Sequence, residues 1–226
     1  MLVKTTLTSP KEITFQVPNH KFIEVGKRLF FNVIRLLSIG VGLYGMVFMF
    51  SDDIGSAGFK AKIAASPVFW SFHLIGGGIA LITSTFVISN SIRARSISAH
   101  QTLGKLYALS IVFAAVGGFA LSLNTDSNMI SGVALGLLSF FWFITTLMAY
   151  LTARKKQFEL HRIWVYRSFA LTISAVLFRL ELGLLMALSQ ESYFDVYATV
   201  SWLSWVPILV LTEWFYVKPT SNSTAA

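Results

Sequence analysis

The chain has 226 residues, 55% of them hydrophobic, 15% aromatic and only 12% charged, with mean hydropathy +0.68. A soluble domain carries about 25% charged residues, so the composition points away from a soluble enzyme and toward a membrane protein. The net charge of +8 lies in short loops between apolar segments, not in one basic stripe laced with aromatics, which argues against nucleic acid as a partner, and the absence of cysteine excludes disulfides, thiolate nucleophiles and Cys-built metal sites.

Residues 1–28 form a polar N-terminal segment without the continuous apolar core of a cleaved signal peptide, so the first span is expected to act as the insertion signal. Six apolar stretches then reach the roughly 20 residues that a helix needs to cross a bilayer. They fall near 29–50, 66–90, 101–123, 129–152, 163–189 and 196–217, followed by a tail at 218–226. The expected fold is all-α, a bundle of six transmembrane helices in one domain. The connections SDDIGSAGFKAKIAASP, NTDSN and QESYFD read as loops. Pro207 is expected to kink the sixth span, and the long fifth span to tilt.

Lys and Arg cluster in the N-terminal segment, the 91–105 and 153–167 connections and the tail, whereas the opposite loops carry only Lys60 and Lys62, beside Asp52 and Asp53. The positive-inside rule then places both termini in the cytoplasm, with the chain in the cell's inner membrane. Small residues at Gly40/Gly42, Gly76–Gly78, Gly117/Gly118 and Gly132/Gly136 are expected to let helix backbones approach closely.

Ionisable side chains in hydrocarbon are costly, so they are the default functional candidates. His73 sits about one third of the way in from the outer face at 1.5 Å rise per residue. His100 opens the third span and His161 stands at the mouth of the fifth, so two histidines lie at one inner depth. Paired imidazoles from two helices are how bundles hold b-type haem. Arg93, Arg162 and Arg167 lie beside them on a basic inner rim suited to an anion such as haem propionates or a lipid phosphate. Arg179 follows His161 by eighteen residues, five whole turns, and so shares its face at the outer end. A His73–Arg179 pair is the expected outer polar site, for a quinone-like or small substrate. Glu181, two residues on, points away from Arg179, and Glu213 is available to answer an inner arginine.

Two segments carry a resemblance: HLIGGGIALITSTFVISNSIRARSISAHQTLGKLY (73–107) and HRIWVYRSFALTISAVLFRLELG (161–183). The first holds His, small residues, a short Arg-bearing loop and His-x-x-x-Gly-x-x-Tyr. The second is similar to a His-Arg-x-Trp-Met-x-Arg-Ser-Tyr-Ala-Leu-Thr pattern, with Val165 and Phe169 in place of Met and Tyr, and Gln101 replaces an Arg in the first. Both patterns resemble the predicted membrane proteins of domain-of-unknown-function family 2306. The resemblance implies a multi-pass membrane protein and assigns no catalytic residue.

The leading functional expectation is a membrane redox protein with His100 and His161 ligating a b-type haem. Arg93, Arg162 or Arg167 would balance the propionates. The alternative is a non-enzymatic transporter-like or assembly protein that binds an anionic lipid, a small anion or a partner subunit. The Gly-rich faces also suit a homodimer.

Overall fold

A computed structural model describes residues 20–51, 53–123 and 128–217. The N-terminal segment through residue 19, the tail from 218 and most of the NTDSN turn lie outside the described residues. The described elements are α1 (His20–Phe50), α2 (Ala57–Ala65), α3 (Pro67–Val87), α4 (Asn90–Arg95), α5 (Ile97–Leu123), α6 (Met129–Arg154), α7 (Phe158–Leu188), α8 (Tyr193–Leu203), α9 (Val206–Thr212) and a π-helical turn, Glu213–Val217. No strand occurs among the described residues. By compactness the chain divides into residues up to Val33 and a larger unit, Ile34–Ala226, which holds the rest of α1 and every later helix.

Six helical stretches are long and apolar enough to cross a membrane, with α8, α9 and the π turn together forming the sixth, Tyr193–Val217. In hydrocarbon the backbone has no water to bond to, so the helix satisfies its own N–H and C=O groups. Leu106, Leu109, Val112, Phe113 and Val116 of α5 all face outward. In water that apolar stripe would be a liability; in lipid it is the expected surface.

Two connections expected as loops contain helices. α2 starts at Ser56, whose hydroxyl accepts from the Phe59 N–H at 3.3 Å. Its Lys60 reaches back to the last turn of α1, donating to the Phe48 carbonyl at 2.9 Å and to that of Ser51, so a cation meets carbonyls that have no intrahelical partner. α4 carries Arg93 and Arg95 in its last turn. α5 begins at Ile97, not 101, because Ser96 accepts from the Ala99 N–H at 3.1 Å, and α7 begins at Phe158, not 163. Both His100 and His161 therefore lie inside their helices. Pro207 does not kink a continuous helix: the chain breaks at Ser204–Trp205 and Pro207 sits in the first turn of α9, where its missing N–H leaves no bond unmade.

α3 packs along α5, α5 on α6, α6 on α7, and α7 returns to α3, which makes a four-helix ring with α5 and α7 on a diagonal. α8 packs outside it on α6 and α7, and α9 on α7. Glycines permit the tight edges. A Cβ on Gly42 of α1 would lie 2.8 Å from the Gly78 carbonyl of α3, and one on Gly78 would lie 2.7 Å from the Gly42 carbonyl. Gly76 and Gly117 make the same backbone approach between α3 and α5. Ala80, Tyr107, Ile111, Ala114, Trp142, Leu171 and Trp205 fill the interior.

Candidate functional site

The site starts from a hydroxyl cluster at the centre of the ring. Thr172 of α7 donates to the Ser168 carbonyl one turn back at 2.8 Å, so its oxygen is left to accept. It accepts from the Trp142 indole N–H of α6 at 2.9 Å and from the Tyr107 phenol of α5 at 2.7 Å. The Tyr107 oxygen then takes the Ser168 proton at 2.8 Å. Thr146 shares its one proton between Ser168, at 2.7 Å, and the Trp142 carbonyl, at 2.8 Å. Every member is buried, so each polar atom depends on the others for a partner.

This cluster sets the register of the diagonal. His100 precedes Tyr107 by seven residues and His161 precedes Ser168 by seven. Seven residues are two turns, about 10 Å, and return to nearly the same face. The parallel helices α5 and α7 therefore present His100 and His161 at one level, two turns toward the end of the ring that carries the Arg and Lys residues. The two imidazoles interact electrostatically, and Arg93 acts on His100 as well.

Each ring is oriented differently. His161 Nδ1 lies 2.8 Å from the Ala149 carbonyl of α6, an acceptor only, so Nδ1 carries the proton and Nε2 keeps its lone pair. His100 Nδ1 is buried and has no hydrogen-bond partner. Gly104, one turn above His100, has nothing within 4 Å of where a Cβ would stand. The space beside the ring is open.

The arginines of the basic rim do not converge on this pair equally. Arg167 turns to Glu213 in the π turn, with Nε–Oε1 at 2.5 Å and Nη2–Oε2 at 2.9 Å, and its guanidinium lies 4.4 Å from the Trp164 ring centre. Glu213 thus answers an inner arginine, as its position suggested. Arg162 pairs with Glu159 on its own helix at 2.7 Å. Arg93 donates to Asn90 at 3.3 Å and has no carboxylate partner among the described residues.

At the opposite end, His73 Nδ1 lies 3.2 Å from the Ala114 carbonyl of α5, and its ring fills the notch left by Gly118, where a Cβ would come within 2.9 Å of it. Arg179 donates to the Ala175 carbonyl of its own helix at 2.7 Å and has no carboxylate partner among the described residues. His73 and Arg179 interact electrostatically across the ring. Glu181 does not pair with Arg179, and its Oε2 is buried without a partner.

The central cluster does not stand out in the sequence. Tyr107 lies on the His100 face, but nothing local tells a bonded phenol from a packed one. Trp142 and Thr146 fall in a span whose one charged residue is the terminal Arg154, and the Thr145–Thr146 pair is a weak local mark of the cluster.

A model of the family described as "Predicted membrane protein (DUF2306)" matches residues 70–216. The chain belongs to this family. The match takes in His73, Arg93, His100, Tyr107, His161, Arg162, Arg167, Arg179 and Glu213, and with the six spans it makes the chain a multi-pass membrane protein. No curated protein and no solved structure matches the chain.

Proposed function

We propose that the protein is a membrane redox protein that binds a b-type haem between α5 and α7, with His100 and His161 as axial ligands. The observation that carries the reading is the shared register. The Tyr107–Ser168 bond, 2.8 Å long, ties the two helices two turns above the histidines, which supports a common level for the two side chains. Neighbouring helices in a ring stand 8–10 Å apart, so diagonal ones are about 12–14 Å apart.

The donor set separates haem from a bare metal ion. A structural or catalytic zinc needs three or four protein ligands, and among the described residues no group of three or more His, Asp or Glu side chains is placed to hold a metal. A haem brings its own equatorial nitrogens and asks the protein for two axial ones. His161 meets that request in the usual way, with Nδ1–H on a backbone carbonyl and Nε2 free. The orphaned nitrogen of His100 and the open space at Gly104 supply the other side and a flat face for the macrocycle.

Arg93 is the cation left to meet a propionate, because Arg162 and Arg167 already hold carboxylates. A haem held by His100 and His161 would supply one-electron transfer. With the basic end taken as cytoplasmic, the haem lies near the inner surface of the cell membrane.

The deciding experiment is a reduced-minus-oxidised visible spectrum of the detergent-purified protein, made with ample haem supply, beside His100→Ala and His161→Ala. A b-type α-band present in the wild type and absent from both variants is the expected result. A colourless, monodisperse wild type overturns the reading.

A further inference from the structure

The ring's other end holds a second cluster, which the haem reading does not use. The register that aligns His100 with His161 continues upward. Ala114 lies seven residues above Tyr107 on α5, and Ala175, whose carbonyl takes the Arg179 guanidinium, lies seven above Ser168 on α7. Two turns above the Tyr107–Ser168 bond, then, α5 presents the carbonyl that holds His73 and α7 the carbonyl that holds the Arg179 guanidinium. Tyr197 of α8 is brought to the same place, its ring 5.3 Å from that of Phe178, the residue before Arg179. Tyr44 of α1 arrives from the other side: its neighbour Gly45 faces the Leu74 carbonyl, 3.8 Å from where a Cβ would stand, next to His73. Four spans thus contribute one polar group each to this end of the ring. Arg179 interacts electrostatically with all three of its companions.

Among the described residues nothing balances the guanidinium. One of its N–H groups is taken by the Ala175 carbonyl of its own helix, and it has no carboxylate partner among the described residues. Nine residues of α7 continue beyond it, about 13 Å of helix, so the charge is not at the helix end. A cation at such depth is stable only with a counter-charge or water beside it. The companions are phenols and an imidazole, all neutral hydrogen-bonding groups. A neutral ring headgroup such as a quinone would fill space there but leave the charge uncompensated.

We infer that Arg179, His73, Tyr44 and Tyr197 form a binding site for an oxyanion, a phosphate or carboxylate, seated between α1, α3, α7 and α8. Arg179 gives the fork that matches two oxygens of such a group, and the phenols donate to the others. His73 Nδ1 donates to a carbonyl, so Nε2 accepts, and it takes up the hydrogen of a monoprotonated phosphate. The oxyanion is either a lipid headgroup or a free solute, and the site is independent of any haem at the basic end.

The test is thermal unfolding of the detergent-purified protein with two probes, inorganic phosphate and dioleoyl phosphatidate in mixed micelles, each titrated against dioleoyl phosphatidylcholine as the neutral control. The expected result is a saturable rise in Tm with one anionic probe, weakened at least tenfold in apparent affinity by Arg179→Gln and several-fold by Tyr197→Phe, and unchanged in Arg95→Gln on the basic rim. A response to phosphate alone assigns a free solute, and a response to phosphatidate only assigns a lipid headgroup. No response in the wild type to either probe overturns the inference. So does an equal response in the wild type and Tyr197→Phe together with a loss in Arg95→Gln, which would move anion binding to the other end. If Arg179→Gln does not yield folded protein, Tyr197→Phe and the wild-type titration still decide.

Discussion

The phenol of Tyr107 and the hydroxyl of Ser168 meet at 2.8 Å across the diagonal of the four-helix ring, and the positions of both polar ends follow from that bond. Two turns below it stand His100 and His161; two turns above it stand the Ala114 carbonyl that holds His73 and the Ala175 carbonyl that holds the Arg179 guanidinium. A single register therefore organises two sites about 20 Å apart along the axis.

Tyr107→Phe removes one oxygen and two bonds, to Ser168 and Thr172. The expected loss of stability is about 1–2 kcal/mol, since Thr172 keeps its indole donor while Ser168 loses its acceptor. Unfolding in mixed micelles measures it. Ser168→Ala should cost less than Tyr107→Phe, because Tyr107 retains Thr172; the reverse order would contradict the proton assignment.

Arg167 and Glu213 form a two-pronged pair with side chains 22% and 38% exposed, so part of its strength is lost to solvent screening. Arg167→Gln and Glu213→Gln should each destabilise by about 1–2 kcal/mol, and the double variant by less than the sum of the two. A double-mutant cycle that closes to zero coupling would show that the pair does not tie the sixth span to α7.

Gly78 and Gly77 are adjacent, but only one faces α1. Gly78→Val drives a side chain into the Gly42 carbonyl and Met46 and should cost about 1–3 kcal/mol. Gly77→Ala meets nothing within 4 Å and should be neutral or slightly stabilising, as alanine is the better helix former. Thermal melts of the two variants side by side check the contrast.

The α6–α7 corner is closed by Lys156 at φ 57°, with the Gln157 N–H on the Thr152 carbonyl at 2.9 Å. A β-carbon is disfavoured there, so Lys156→Gly should raise stability by about 1 kcal/mol and Lys156→Val lower it. The corner also sets where His161 meets Ala149, so Lys156→Val should weaken any haem α-band more than it changes helix content by circular dichroism.

Local pattern was enough for much of this. The six spans, the all-helical class and the family motif were legible because a membrane helix must carry about 20 apolar residues in a row whatever its neighbours are. The shared faces of His100 with Tyr107 and of His161 with Arg179 were legible from the 3.6-residue period alone. Short structure was harder to see. α2 and α4 and the earlier start of α5 depend on one hydroxyl or lysine meeting a backbone group, as Ser56, Ser96 and Lys60 do, and such bonds leave no periodic trace.

By itself, then, the sequence determined how many times the chain crosses the membrane and which side chains share a helix face, since both are properties of a helix in isolation. The tertiary structure decided which faces meet. That α5 and α7 stand on a diagonal, that Glu213 claims Arg167 from 46 positions away while Arg179 has no carboxylate partner among the described residues, and that Tyr197 packs on Phe178 beside Arg179 depend on packing between helices. In lipid no hydrophobic force selects one apolar face over another. Close-packed glycines and a few buried hydrogen bonds make that choice, and they exist only once the helices are together.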